Sequence, residues 1–228
     1  MGNLDYHLAE LNIARDPDDP RRVLPDLRPS ERVILDLGCG AGQSFVAMDC
    51  PDRVCVGLDI DAAALAYGRE HFGDRVKYLR SDAARLPFPP GCFDLVYSRY
   101  ALPYTNVPRV LREVRRVLKP TGRFWFTVHS RELNNRWLFR AARTRNARWL
   151  IHRFYTLVNG YLLRYLGVLL PFLNGTYESW QDPGAMRRLL TRCDFESSVT
   201  QVGSHSVIQA VPTRSVQPRF TGLARPPA

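Results

Sequence analysis

Three glycines at alternate positions, Gly38, Gly40 and Gly42, follow Asp36 at the end of the run VILD. Glycine suits a backbone that turns with positive φ or that lets a ligand approach closer than a Cβ allows. A second acid, Asp59, ends the apolar run VCVGLD 21 residues after Gly38. At that interval a second-strand carboxylate accepts hydrogen bonds from the two hydroxyls of a ribose; the plainer alternative is that Asp59 caps the helix that follows. A third acid, Asp82, follows the run VKYLRS. Together these residues describe a cradle for a nucleoside. His129, at the end of RFWFTVH, is placed to serve as a general base or simply to hydrogen-bond there. Tyr100 and Tyr104, in SRYALPYT, either shape an acceptor pocket or pack.

These groups need a scaffold that brings strand ends together. The run VIL at 33–35 has the β-branched character of a strand buried on both faces. A helix is expected from residue 43 to 48, its N-terminus aimed at a negative group on the ligand. Further strands are expected at 54–61, 76–80, 92–98 and 123–129, with helices at 61–71 and 108–118. In the latter, Val107, Val110, Leu111, Val114, Val117 and Leu118 keep the i, i+3, i+4 spacing of a helix lying on a sheet, and KPTG stops it. A helix near 183–192 precedes segments 195–202 and 206–211, so closely joined through Gly203, Ser204 and His205 that they form an antiparallel hairpin. The order specifies an α/β fold: a Rossmann-like, doubly wound, seven-stranded sheet, mostly parallel, with a C-terminal antiparallel hairpin and a helical insert. Such sheets take ligands at the carboxyl ends of their strands. An N-terminal helix carrying Leu4, Leu8 and Leu11, broken by DPDDP, either packs on the sheet or folds over the site as a flap, with Tyr6 as its ligand contact.

With 228 residues, 45% of them hydrophobic and 24% charged, the chain has room for one core plus a lid. One domain is expected over 1–211, with a lid or insert at 131–175 and a disordered basic tail at 212–228. The start MGNLDYHLAELN carries acids and no long apolar run, which argues against a secretory signal and for the cytoplasm. Five cysteines without CxxC spacing read as reduced thiols, supporting neither zinc nor disulfides.

The net charge of +10 is concentrated in two segments: eight Arg and one Glu at 131–175, and three Arg without an acid at 212–228. Within the insert, Leu150, Phe154, Leu157, Val158, Tyr161, Leu162, Tyr165 and Leu169 form a helical stripe that Pro171 should end. Asn159 and Arg164 inside a stretch shorter than about 20 apolar residues argue against a membrane span. A lid over the strand ends with this stripe as its inner face, a dimer contact, and a helix lying on a membrane surface through 150–173 remain. Arg136, Arg140 and Arg143 share another face upstream.

In order, the motifs DLGCGAG, GLD, SDAARLPF, FDLVYS and VLKPTGRF resemble those of class I S-adenosylmethionine-dependent methyltransferases of the type 11 kind. The resemblance is close over 32–127 and looser over 179–211, where Asp194 replaces a glycine often found before that Phe. A nicotinamide-binding loop would place its third glycine at Gln43. The resemblance implies S-adenosylmethionine as cofactor and S-adenosylhomocysteine as product. It further implies that the loop through Gly38, Cys39, Gly40, Gly42 and Ser44 lies against the methionine part, and that Asp36 reaches its amino group. Asp59 and Ile60 would bind the ribose, Asp82 and Ala83 the adenine, and Ser98 and Arg99 would flank the sulfonium.

Methyl transfer is an in-line displacement in which positioning can supply roughly 7 to 11 kcal/mol. A base is needed only where the acceptor sheds a proton, and His129 with Tyr100 are the catalytic candidates. No cluster of carboxylates with His or Asn points to a metal, so a metal-independent transfer is expected. For the acceptor, Tyr6, Tyr104, Trp137, Arg140, Tyr155 and Tyr177 are the candidate contacts. Three classes stay open. The first is transfer to O or N of a small, apolar or aromatic acceptor, with or without a carboxylate or phosphate. The second is transfer to RNA, protein or peptide through arginine–phosphate contacts, although SRYALPY lacks the Asn/Asp-Pro-Pro-aromatic grip for a base amine. The third is a non-catalytic cofactor-binding subunit. Either a monomer or a homodimer fits.

Overall fold

The computed structural model describes residues 3–19, 21–128, 131–144, 146–202 and 205–213. Strands β1 (Val33–Leu37), β2 (Val54–Asp59), β3 (Lys77–Arg80), β4 (Phe93–Ser98), β5 (Leu118–Val128), β6 (Phe195–Val202) and β7 (His205–Pro212) form one sheet in the order β3-β2-β1-β4-β5-β7-β6. The first five run parallel, and β7 lies antiparallel between β5 and β6. The order reverses between β1 and β4, which opens a crevice at their carboxyl ends. The helices are α1 (Asn3–Arg15), α2 (Gln43–Met48), α3 (Ala62–Phe72), α4 (Val107–Val117), α5 (Arg131–Arg143), α6 (Ala147–Leu166) and α7 (Pro183–Arg192).

Period-2 alternation along the strands builds two apolar layers. Leu35, Val96, Phe124 and Phe126 meet the valines of α4 and Met186 and Leu190 of α7 on one face. Ile34, Leu95, Tyr97 and Trp125 meet Phe45 of α2 on the other. Helix α1 packs on α2 and α3, at the rim of the crevice.

Three local expectations change. KPTG does not separate helix from strand: β5 begins at Leu118, and the tetrapeptide bulges out, because Phe93 pairs with Leu118 and Leu95 already with Arg123. Helix α6 stops at Leu166, ahead of Pro171, because Gly167 turns left-handed at φ 71 and returns its N–H to the Leu162 and Leu163 carbonyls, leaving Leu169 beyond the helix. Pro212 belongs to β7, and the Thr213 N–H bonds the Asp194 carbonyl, so the tail does not start at 212; residues 214–228 lie outside the described residues. Asp194 itself sits at φ 58, a left-handed position that Asp tolerates better than most residues.

The insert is turned the other way from the expectation. Helix α6 buries Arg153, Thr156, Asn159, Gly160 and Leu163, and leaves Ile151, Phe154, Val158, Tyr161 and Tyr165 exposed. The cause is the irregular chain at 168–182, which turns back on itself at 172–176 and lies in no helix or strand, so that side chains of α6 satisfy much of its backbone. Asn159 accepts from the Leu170 N–H and donates to the Leu170 and Glu178 carbonyls. Arg153 holds Glu178 through both guanidinium ends, each at 2.8 Å. Gly160 leaves room for Trp180, whose indole N–H donates to the Leu157 carbonyl at 3.1 Å.

Candidate active site

The glycine turn is locked from below. The N–H groups of Gly38 and Cys39 both donate to the Leu58 carbonyl, at 2.7 and 3.1 Å. Gly38, Gly40 and Gly42 all have positive φ. A Cβ on Gly38 would lie 2.1 Å from that of Ala101, and one on Gly40 would lie 2.3 Å from His7 Nδ1, so close packing by the protein itself demands glycine here. Asp59 ties the turn to β2: its Oδ2 accepts from the Gly40 N–H at 2.7 Å and its Oδ1 from the Asp61 N–H at 2.9 Å. The capping of α3 belongs to Asp61, which accepts from Ala63 and Ala64.

A cleft of about 640 Å³ opens at these strand ends. Of the residues singled out from the sequence, Gly38, Asp59, Ile60, Asp82, Ala83, Ser98, Arg99, Tyr100, Tyr104 and Tyr177 line it. Sequence reasoning missed His7 and Glu10 of α1, which also line it. Their i, i+3 spacing on one helix face was the available signal. Helix α1 thus both packs on the sheet side and reaches the site; the side chain of Tyr6 lies outside the described residues, as does His129.

Two buried groups of opposite charge have unused hydrogen-bonding atoms here. The Arg99 side chain is 4% exposed and donates from Nη2 to Glu10 Oε2 at 2.8 Å, while Nη1 has no hydrogen-bond partner. Asp36 does not itself line the cleft but is buried one residue before the cleft-lining Leu37, with Oδ1 unpartnered. Burial pushes its carboxyl up to about 7, against the pull of the Tyr97 hydroxyl and the Arg99 charge and with the push of Asp59. Buried polar atoms without partners are uncommon and call for an explanation.

Tyr100 holds a left-handed φ of 64, strained for a bulky residue and fixed by its N–H donating to Thr127 Oγ1 at 3.0 Å. Its hydroxyl lies 3.3 Å from the ring nitrogens of His205. Burial first, then the Arg99 charge, lowers the His205 pKa and favours the neutral imidazole. His205 heads β7 next to Ser206, which pairs with Val128 at the end of β5. A histidine therefore stands at the strand edge where His129 was expected to act, although the sequence marked His205 as hairpin turn alone.

Several candidates stand off the cleft wall. The Cys39 thiol packs toward Gly57, where burial raises its pKa, and Ser44 is buried in α2. Gly40 and Gly42 are covered by His7 and Tyr78. Trp137, Arg140 and Tyr155, expected as acceptor contacts, do not line this cleft. The Arg153 guanidinium lies 5.2 Å from the Trp137 ring, Arg140 is exposed, and the Tyr155 hydroxyl donates to the Leu170 carbonyl at 2.8 Å. What the insert does bring to the cleft is the chain at Gly175, Thr176 and Tyr177. Among the described residues no group of three or more His, Cys, Asp or Glu is placed to hold a metal ion.

Residues 35–126 match the family described as Methyltransferase domain. Over 105 residues the chain is 34% identical to the uncharacterized methyltransferase YcgJ of Bacillus subtilis, covering 44% of this chain and 42% of that protein. It is 39% identical over 115 residues to the ubiquinone/menaquinone biosynthesis C-methyltransferase UbiE of Methylobacterium nodulans, covering 45% of each. The crystal structure of YcgJ superposes with a TM-score of 0.56 at 18% identity, over 82% of this chain and 94% of that one, a likeness of fold. The chain spans a third to a half of the length of the curated relatives it matches.

Proposed function

We propose that residues 35–126 form a class I S-adenosylmethionine-dependent methyltransferase domain and that the chain as a whole moves a methyl group to a small, apolar or aromatic acceptor. The observation that carries this reading is a pair of buried, oppositely charged groups with unused atoms: Arg99 Nη1 in the cleft wall that Asp59 also lines, and Asp36 Oδ1 just behind it, one residue before the cleft-lining Leu37. They fit the zwitterionic end of an amino acid: Asp36 would take the ammonium and Arg99 the carboxylate. Asp59 keeps lone pairs for a ribose diol while holding the glycine turn, and Asp82 and Ala83 would meet the adenine. When bound, S-adenosylmethionine supplies a methyl group activated by its sulfonium.

The acceptor side of the cleft is aromatic and aliphatic, through Tyr100, Leu102, Tyr104, Val110 and Tyr177. These walls exclude water and orient a ring or chain, which is most of what an in-line displacement asks of a protein. A relative named for ubiquinone and menaquinone biosynthesis supports an apolar ring as acceptor class, with the receiving atom an oxygen, a nitrogen or an activated ring carbon. Where that atom sheds a proton, the Tyr100 hydroxyl is the nearest cleft-wall relay, backed by the neutral His205 imidazole.

Titration calorimetry with S-adenosylhomocysteine tests the cofactor assignment. Asp59→Ala is expected to weaken binding by about 1.5 to 3 kcal/mol, as for hydrogen bonds to a charged group; unchanged affinity removes the ribose assignment. Incubation of a cell extract with the protein and labelled methyl donor, read by mass spectrometry, then names the acceptor. Cofactor binding without any labelled product would move the chain to the non-catalytic class.

A further inference from the structure

We propose that the outward face of α6, together with the arginines of the α5–α6 hairpin, is a docking surface for an anionic lipid bilayer. This goes beyond the methyl-transfer reading and does not depend on it.

Ile151, Phe154, Val158, Tyr161 and Tyr165 recur every three to four residues along the exposed side of α6, and Ile151, Phe154 and Tyr165 are 61%, 61% and 71% exposed. Leu150 and Leu157 flank that line on one side and Leu162 and Leu166 on the other. At 3.6 residues per turn, the apolar arc covers roughly half the circumference of the helix. Past the helix, Leu173 is 97% exposed. None of the described helices is long and apolar enough to cross a membrane, and a helix with a broad apolar face and a cationic rim lies in the plane of the interface instead. Tyrosines at 161 and 165 suit that boundary.

Charge selects the bilayer over a second copy of the chain. Glu132 is the sole acid between residues 131 and 175. Arg153 and Arg164 are paired with Glu178 and Asp182, whereas Arg136, Arg140, Arg143 and Arg148 are exposed. Exposed Arg148, about five helical turns before Leu166 and so at the same edge of the stripe, sets a cation beside the apolar face, where a second copy would meet it with like charge. An anionic headgroup layer complements this surface. Helix α6 is also tied to the cleft wall: Tyr155 and Asn159 hold the Leu170 carbonyl, and the same segment supplies Gly175, Thr176 and Tyr177 to the wall.

The test is co-sedimentation of the full chain with vesicles of phosphatidylcholine alone or of equal parts phosphatidylcholine and phosphatidylglycerol. Binding is expected to the anionic vesicles and to weaken as salt rises. Phe154→Glu with Val158→Glu is expected to lower partitioning by roughly tenfold or more, and Arg136→Glu with Arg143→Glu to remove the preference for phosphatidylglycerol. Tyr165→Ser is a milder variant with the same expected direction. Retained S-adenosylhomocysteine binding and an unchanged unfolding temperature certify each variant as folded. Equal or absent binding to both vesicle types overturns the proposal. So does a dimer in sedimentation equilibrium that the Phe154/Val158 variant splits while vesicle binding stays unchanged. Failure of the native chain to bind S-adenosylhomocysteine would instead overturn the cofactor assignment and leave the vesicle result standing.

Discussion

In β1, β4 and β5 most of the residues sealed from solvent are apolar, Ile34, Leu95 and Phe124 among them; in α6 they include Arg153, Thr156 and Asn159, with phenylalanine and tyrosine outside. The sheet has helices on both faces, and its backbone groups are spent on neighbouring strands, so its interior can be apolar. The insert must hold a length of irregular chain, so its interior is made of hydrogen-bonding side chains. A helix's inner face is thus set by what it has to satisfy, and the hydrophobic stripe goes wherever that requirement leaves it.

The sharpest way to break this comparison is Arg153→Met. It strands Glu178 in a buried site, and unfolding in urea should show a loss of about 3 to 5 kcal/mol; a loss below about 1 kcal/mol would mean that the insert does not rest on its polar interior. Asp36 probes the sheet side, where an acid sits among apolar neighbours. In the fold its carboxyl keeps its proton up to about pH 7, whereas in the unfolded chain it ionises near pH 4, at about 3.9. Its contribution to stability is therefore present in acid and lost as pH rises through 7, at about 1.4 kcal/mol per pH unit between those limits. Affinity for S-adenosylhomocysteine should move oppositely, rising toward pH 7 as the carboxylate that faces the ammonium forms. Asp36→Asn should abolish both slopes in pH-dependent denaturation and calorimetry, and slopes that survive would assign the titration to another group, His205 first. The smallest effect belongs to Phe154→Ser, which should change stability by no more than about 0.5 kcal/mol despite the size of the side chain; a loss of 3 kcal/mol would show that the stripe is packed after all.

Much of the fold was legible because buried strands and lidding helices leave strong periodic marks. The apolar runs gave β1, β2 and β4, the valines of α4 marked their own buried face, and the limits 183–192 and 195–202 match α7 and β6. Periodicity identifies two faces of a helix without saying which is inward, and that is why α6 was read inside out. KPTG has real turn chemistry, but the pairing of Leu95 with Arg123 reclaims the strand beyond it. In the site, the residues at strand ends were readable from position. The contributions of Glu10, His7 and His205 come from distant segments, and the left-handed backbone of Tyr100 follows from its anchoring to Thr127, which no local pattern encodes.

The bond from Gly40 to Asp59 carries a kinetic consequence. Because the protein itself holds the turn, the nucleoside proposed for this cleft would have no loop to order there, and little of its binding energy would be consumed in arranging backbone. Capture then proceeds at the rate of encounter with an open cleft. Substitutions around the turn should be read in how long the ligand stays, with dissociation changing far more than association.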